Sequence, residues 1–532
     1  MSTKFLRFVV LALLAVAAAA LTACGDSGDD ADLGPDPATM APADTPFYMA
    51  ATVRPEGELG DDLDAALSKL LVTDDVGAQV QAAIDEKLAE EGRGMTYEED
   101  IAPWLGTRAG FFLNGYDAKT EEVDGALIVA VTDASAAQSF AAAAADGGSG
   151  TEREYNGVEL TVSEDEDSAF GVDGDFLLAG SVQGVEDAID AGDGDNFAGV
   201  DDSTTGLDAV PDEAIFSLYA DPQKAIDLVK QSGAIPADEL GQIEEQIGDG
   251  PVDAWGAVTD SSFSFGASAP AGEGATDPSD LMTTLPGDAW LAFAATGVGK
   301  QISSSLDQFE AGFQAGLEEQ GLGEEIDPTR IFQEATGLNL EQDLGWIGDV
   351  GGFVEGTSIF GLGGGLVITT DDQAAAEDAV EKLQGALGES RSVKITPGQS
   401  GFDIQAKRAP IGAHVAVEDG EVIVAAGADT IDDVVSPSET LADSDTFQAA
   451  EDELGDGLTP SFFVNFAPIL DLIDSTGETD DDIEAARPYL NALDFLIGGS
   501  DLDGERSVIG FTLGVQEQPE GSDSTTAAVI AP

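Results

Sequence analysis

Cysteine and histidine are almost missing from this 532-residue sequence, which holds one of each, Cys24 and His414. A single cysteine excludes an intrachain disulfide, so the fold must rest on its apolar core alone. Zinc sites draw on several His or Cys ligands, and the chain cannot supply them. A Ser-His-Asp hydrolase needs a histidine oriented by a carboxylate and within reach of a nucleophile. His414 sits in the strand pattern Ala413–Val417 and reads as a surface or strand residue. Basic residues are also scarce, 20 Lys and Arg against 104 Asp and Glu, giving a net charge of −84. A field of that sign repels nucleic-acid phosphates and anionic headgroups, which excludes DNA and RNA binding. It attracts divalent cations, basic peptides and cationic polymers.

What is present begins at the N-terminus. Lys4 and Arg7 form a positive head, and Phe8 to Ala20 form an apolar run of thirteen residues. A transmembrane helix needs about 20 apolar residues, so the run suits a cleaved signal peptide over residues 1–23. It ends at Leu21-Thr22-Ala23-Cys24, which predicts cleavage between Ala23 and Cys24 and acylation of the Cys24 thiol. A diacylglyceryl thioether and a further chain such as palmitate would hold the protein firmly, because each buried methylene contributes about 0.8 kcal/mol. No second apolar run is long enough to span a bilayer, so the expected membrane attachment is the lipid alone. Losing Lys4 and Arg7 with the signal takes the net charge from −84 to −86. Residues 24–41 are rich in Gly, Asp and Pro and read as a disordered acidic spacer.

Beyond the spacer the sequence repeats itself. Pro42-Ala43-Asp44 before Ala50-Ala51-Thr52 matches Pro286-Gly287-Asp288 before Ala294-Ala295-Thr296. Trp104-Leu105-Gly106 matches Trp346-Ile347-Gly348, and Ala126–Thr132 with Asp133 matches Leu366–Thr370 with Asp371. Phe176–Gly180 matches Val422–Ala426, and Ile215–Ala220 matches Phe462–Ala467. Five landmarks recur in one order at offsets near 244. The expected organisation is a first unit over 42–269, a linker over 270–283, a second unit over 284–516 and a flexible tail over 517–532. Each unit reads as strand, helical pair, two strands, helix, three strands, helix, strand, helix and closing hairpin. Asp133 and Asp371 are the expected N-caps of alanine-rich helices. Asp173-Gly174 and Asp419-Gly420 mark tight hairpins. Hairpin-joined strands argue for an α+β fold, a tandem duplication of an antiparallel sheet with helices on one face.

Several motifs look chemical and lack the context the chemistry needs. Gly25-Asp26-Ser27-Gly28 mimics a serine-protease nucleophile but falls in the spacer with no histidine before it. Gly361–Gly365 has no lysine in phosphate-loop register and feeds a strand, whereas a phosphate cradle needs a helix N-terminus behind it. The runs Glu164–Asp167, Asp193–Asn196, Asp480–Asp482 and Asp501–Glu505 invite calcium, yet none completes the spacing of an EF loop. Trp104 and Trp346 occupy matching places and read as core plugs, the other reading being a paired aromatic platform.

The Pro42-Ala43-Asp44-Thr45 strand entry and the Trp-Leu-Gly and Trp-Ile-Gly turns carry a resemblance. The chain resembles an uncharacterised family of exported or membrane-attached bacterial proteins, common in actinobacteria and known only as a domain of unknown function. The likeness covers most of residues 42–516. It implies an extracytoplasmic α+β ectodomain and brings no catalytic, metal or cofactor residues with it.

Composition, anchor and resemblance together predict a lipid-anchored protein on the outer face of the cell membrane, with no cofactor. Its expected role is non-catalytic binding or scaffolding of an envelope protein. A carrier of lipid or another hydrophobic ligand is the alternative, and hydrolysis by carboxylates alone is the one enzymatic route left open.

Overall fold

The computed structural model describes residues 34–517 apart from 74, 91–94, 118–121, 145–149, 165–166, 201–209, 212–213, 233–249, 273–274, 301, 303–332, 334–335, 340–342, 399, 408–411, 428–429, 456 and 477–480. The signal peptide, the Ala23–Cys24 junction and the expected tail beyond residue 517 lie outside the described residues. The chain divides into two compact units after Glu273, with Asp503–Val508 and the chain from Val515 grouped with the first.

The strands of the first unit are β1 (Phe47–Thr52), β2 (Leu105–Asp117), β3 (Glu122–Val131), β4 (Thr151–Tyr155), β5 (Val158–Val162), β6 (Ala169–Asp173), β7 (Phe176–Gly180), β8 (Ala214–Ala220), β9 (Val252–Val258) and β10 (Ser262–Pro270). They pair antiparallel in the order β4–β5–β6–β7–β3–β2–β1–β8–β9–β10. Helices α1 (Gly57–Leu71) and α2 (Val76–Glu90) follow β1, α3 (Ala134–Ala144) follows β3, α4 (Val182–Asp193) follows β7 and α5 (Pro222–Ser232) follows β8.

The second unit carries β11 (Ala289–Ala295), β12 (Val350–Glu355), β13 (Gly363–Thr369), β14 (Val393–Pro397), β15 (Gly401–Ala406), β16 (Gly412–Glu418), β17 (Glu421–Gly427), β18 (Thr459–Asn465) and, apart from residues 503–508 and 515, β19 (Leu493–Asp503) and β20 (Arg506–Val515). Their order is β14–β15–β16–β17–β13–β12–β11–β18–β19–β20. Its helices are α6 (Gln373–Glu389), α7 (Ile431–Val435), α8 (Asp445–Leu454), α9 (Phe466–Thr476) and α10 (Asp481–Asn491). The α+β class stands, with antiparallel sheet as its framework.

Several details differ from the sequence expectation. Helices cover both faces of each sheet instead of one. In the first unit Leu127, Val129 and Leu177 pack with Val76, Val80 and Ile84 of α2, while Ile128, Ala130 and Leu178 pack with Val185 and Ile189 of α4. The second unit does the same, with Val367 and Ile423 toward Phe447 of α8, and Val422 and Val415 toward Ala376 and Val380 of α6. The physical sign is the unbroken apolar run Ala126–Val131, since a strand buried on both faces loses its polar alternation.

Four strands, not three, lie between α3 and α4. The extra one, β4, is Thr-Glu-Arg-Glu-Tyr and almost wholly exposed, so it carries no apolar pattern to read. The spacer gives way before residue 41: Pro37–Met40 form a 3-10 turn capped by Asp36, with Ala38, Met40 and Ala41 buried in the core. Likewise the linker ends early, because Asp280–Thr284 form a 3-10 turn that buries Met282 completely.

Boundaries shift at the far end too. Residues 503–508 belong to the first unit, where the Arg506 guanidinium bonds the fully buried Asp253 carboxylate, Ser268 Oγ at 2.6 Å and the Pro251 carbonyl at 3.1 Å. Asp133 caps α3 as expected, its Oδ1 accepting from Ala136 at 3.0 Å. The cap of α6 is Asp372, which accepts from Ala375 at 3.0 Å, and not Asp371. The second tight hairpin is Asp419-Gly420, both at positive φ (49° and 87°), the backbone of a type I′ turn. In the first unit Asp173 pairs with Phe176, so the two loop residues are Gly174 and Asp175.

Candidate functional site

The described surface holds a cleft of about 580 Å³ in the first unit, lined among others by Pro42, Asp44, Asn114, Asp187, Asp190 and Asp195. Its main wall is α4. Ser181 starts this helix by accepting the Gly184 N–H at 2.9 Å. Gly184 lies against β3 so closely that a methyl there would overlap the Gly125 carbonyl oxygen. Val185, Ala188 and Ile189 face the core. Asp187 and Asp190, three residues apart, then share a face one turn along, and Ala191 joins them on the cleft wall. Asp195 follows the helix end, and Asp44 comes from the turn before β1. That turn is tied to the far end of α4 by a bridge between Pro42 and Asn196 and by the Phe197 N–H donating to the Ala41 carbonyl at 2.8 Å.

Neutral side chains fix the two helix carboxylates. Asp187 accepts from Gln183 Nε2 at 2.7 Å and from Asn114 Nδ2 at 3.2 Å. Asp190 accepts from the Tyr155 hydroxyl at 2.9 Å and from Asn156 Nδ2 at 2.7 Å. That bond to Asp190 pushes the Tyr155 phenol above its ordinary value, with smaller contributions from desolvation and from the Asp190, Glu186 and Asp187 charges. Tyr155 therefore stays a donor through neutral pH. Among the described residues, Arg153 pairs with Glu186 of this helix. Of the cleft carboxylates, Asp190 enters the last turn of α4 and Asp195 follows its end, where the helix dipole adds negative potential. Carboxylates so placed give the cleft an acceptor-rich, negative lining. Among the described residues no group of three or more His, Cys, Asp or Glu side chains could hold a metal ion.

The structure does not gather the residues singled out in the sequence into one site. Cys24 and Ala23, with the Gly25–Gly28 motif, lie outside the described residues. His414 is half-exposed on β16, its Nδ1 2.8 Å from Oδ1 of the opposing Asp403. Gly361–Gly365 forms the end of a hairpin loop and the start of β13, as a strand turn should. Of the acidic runs, Asp193–Asn196 reaches the cleft, through Asp195.

The two tryptophans are packing groups. Trp104 is 4% exposed and lies 4.9 Å from the Phe140 ring. Trp346 is half-buried between Val380 and Leu344 clusters. Each indole donates at 2.6 Å to a backbone carbonyl, of Asp100 and Asp343 respectively. Each of those aspartates accepts at 2.8 Å from the amide four residues earlier, Thr96 and Asn339.

Sequence reasoning missed the cleft. The signal was available in Val182–Asp193, where apolar residues at helical spacing leave Asp187 and Asp190 on the opposite stripe. What the sequence could not supply was the approach of Asp44 and Asn114 from distant strands.

No helix among the described residues is long and apolar enough to cross a membrane. No curated protein matches the chain. Crystal forms I and IV of TP0453 are similar to part of it, at 9% and 10% identity, covering 46% and 44% of this chain and 82% and 80% of theirs. Their TM-scores, 0.25 and 0.24, are too low to bear on fold or function. Residues 7–478 match the family described as "Protein of unknown function (DUF3352)", and the chain belongs to that family.

Proposed function

We propose that this is a non-catalytic binding protein of the cell envelope, built from two copies of one unit and held to the outer face of the membrane by acylated Cys24. The cleft of the first unit carries the binding part of this reading. Its Asp187 and Asp190 carboxylates are oriented by amides and a phenol, so their charge is left for a cationic group on an envelope partner. The placement of His414 supports the non-catalytic part, since the single imidazole is spent on a solvent-facing pair with Asp403. Duplication is supported by the matching strand orders and by the paired bridges Pro42–Asn196 and Pro286–Thr440, each displaced by 244 residues. The alternative, a carrier of hydrophobic ligands, draws no support from a cleft lined by carboxylates.

A hexalysine peptide tests the cleft. Replacing Asp187→Asn and Asp190→Asn removes only two of 104 acidic residues, so a non-specific field effect would hardly register. Affinity at physiological salt should fall at least about fivefold, given that charge-assisted hydrogen bonds are the strong ones. The control pair Glu381→Gln and Glu389→Gln, exposed on α6, should leave affinity unchanged. Equal weakening by both pairs would reduce the cleft to part of a diffuse field. The anchor is tested separately, by the acyl mass on the N-terminal fragment of protein recovered from membranes.

A further inference from the structure

The most exposed large apolar side chain described is Phe360, at 93%, and its neighbours Ile359 and Leu362 are 59% and 39% exposed. They form the tip of the β12–β13 hairpin, whose last ladder pair is Glu355 with Gly363. From Gly356 to Thr370 no side chain ionises, in a chain where 23% of residues are charged. Within the tip the Gly361 N–H donates to the Ser358 carbonyl at 3.0 Å, with Ser358 Oγ at 3.2 Å. At its base the half-buried Trp290 indole donates to the Gly356 carbonyl at 3.0 Å.

We propose that Ile359, Phe360 and Leu362 form a wedge that inserts into the interfacial layer of a lipid bilayer. Two observations favour lipid over a protein partner. The tip carries no ionisable side chain, so no charge has to be taken out of water, and its turn ties down the Gly361 N–H. It projects as a narrow convex loop of three side chains, whereas a stable protein interface takes about 800 Å² from each partner. A bilayer needs no shaped counterpart. The acidic remainder of the chain is repelled by anionic headgroups, so insertion depends on apolar contact and favours neutral lipid. The inference rests on the anchored reading above only for which membrane is met.

The test places a fluorescent probe at the tip by Phe360→Trp in the intact chain, reconstituted in phosphatidylcholine vesicles with brominated acyl chains. The fold should be unaffected, because Phe360 is almost wholly solvent-exposed. The added emission, relative to the parent chain, should be quenched at least about twofold. An unquenched probe on a chain that floats with the vesicles overturns the wedge and leaves the anchor standing. A chain that lacks acyl mass and does not float defeats the anchored reading instead. Vesicles added to that same soluble chain still decide the wedge: a saturable blue shift supports it, and no shift overturns it. A photo-cross-linker at position 359 should join phospholipid in native membranes, and exclusive coupling to a protein would overturn the proposal.

Discussion

Trp104→Ala should open the first unit while leaving the second intact. Trp104 is 4% exposed and packs on Phe140 in a cluster with Leu105, Val129 and Ala141. A buried aromatic removes roughly 150–250 Å² from water, worth about 4–6 kcal/mol at roughly 25 cal/mol/Å² as an upper figure. Truncations of this kind cost about 3–5 kcal/mol. Converted at about 1.4 kcal/mol per tenfold, that is roughly a 100- to 3,000-fold loss of hydrogen-exchange protection at the slowest amides of β2 and β3. Hydrogen exchange read peptide by peptide is the right assay, because a chain of two units need not unfold in one step. Trp346→Ala should cost its own unit less, since that indole is only half-buried. Trp104→Phe keeps most of the ring and loses the donor to Asp100, a loss of about 1 kcal/mol. Loss below about threefold in Trp104→Ala, or equal losses in both units, would show that the indole is not what closes this core.

Two further outcomes follow from local hydrogen bonding. Asp372→Ala should destabilise α6 by about 1 kcal/mol, as loss of an N-cap does, while Asp371→Ala should be nearly silent. Amide exchange at Ala375 and Ala376 distinguishes them, and equal effects would refute the capping assignment. Asp343 is held below the usual carboxylate value first by the Asn339 amide and then by Lys382. A depressed folded value means the stabilisation is complete above the ordinary aspartate range and is lost as pH falls through the folded value. The turn around Asn339 and Trp346 should therefore loosen in acid below about pH 4, measured by exchange at the Asn339 amide. Asp343→Asn should abolish that acid step, and its persistence would assign the step to another group.

The α+β class was readable because apolar runs such as Leu127–Val131, Phe176–Gly180 and Val422–Ala426, the first and last rich in β-branched residues, stand beside hairpin signals at Asp-Gly. Their double-sided burial was misread, since a short run apolar at every position looks the same whether one face or both are covered. Strand β4 escaped because an edge strand facing solvent has no core to pattern it. Pro37–Met40 escaped for the opposite reason: a Gly-, Asp- and Pro-rich context hides four residues that fill a gap beside Tyr48 and Ile189. The cleft is the least legible feature of all. Its helical wall is local, but its other groups lie about 70 and 140 residues away along the chain and are brought up to it by the tertiary fold.

On the duplication proposed above, the two units have diverged where function is expected. The helix that presents Asp187 and Asp190 runs for twelve residues in the first unit, and its positional equivalent, Ile431–Val435, for only five. Its five residues, Ile-Asp-Asp-Val-Val, hold no carboxylate pair at that spacing, although Thr430 and Asp433 still start it with a capping box. The bridge that ties the entry turn to the end of this segment survives in both units, so the frame was kept and the wall was cut back. The second unit instead carries the uncharged hairpin tip at Ile359 and Phe360. A shared frame with a cationic-group cleft on one unit and an apolar wedge on the other fits a protein that holds a partner while resting on a membrane. It also makes the two sites separable: substitutions at Asp187 and Asp190 should leave lipid contact at Phe360 unchanged, because no shared residue joins them.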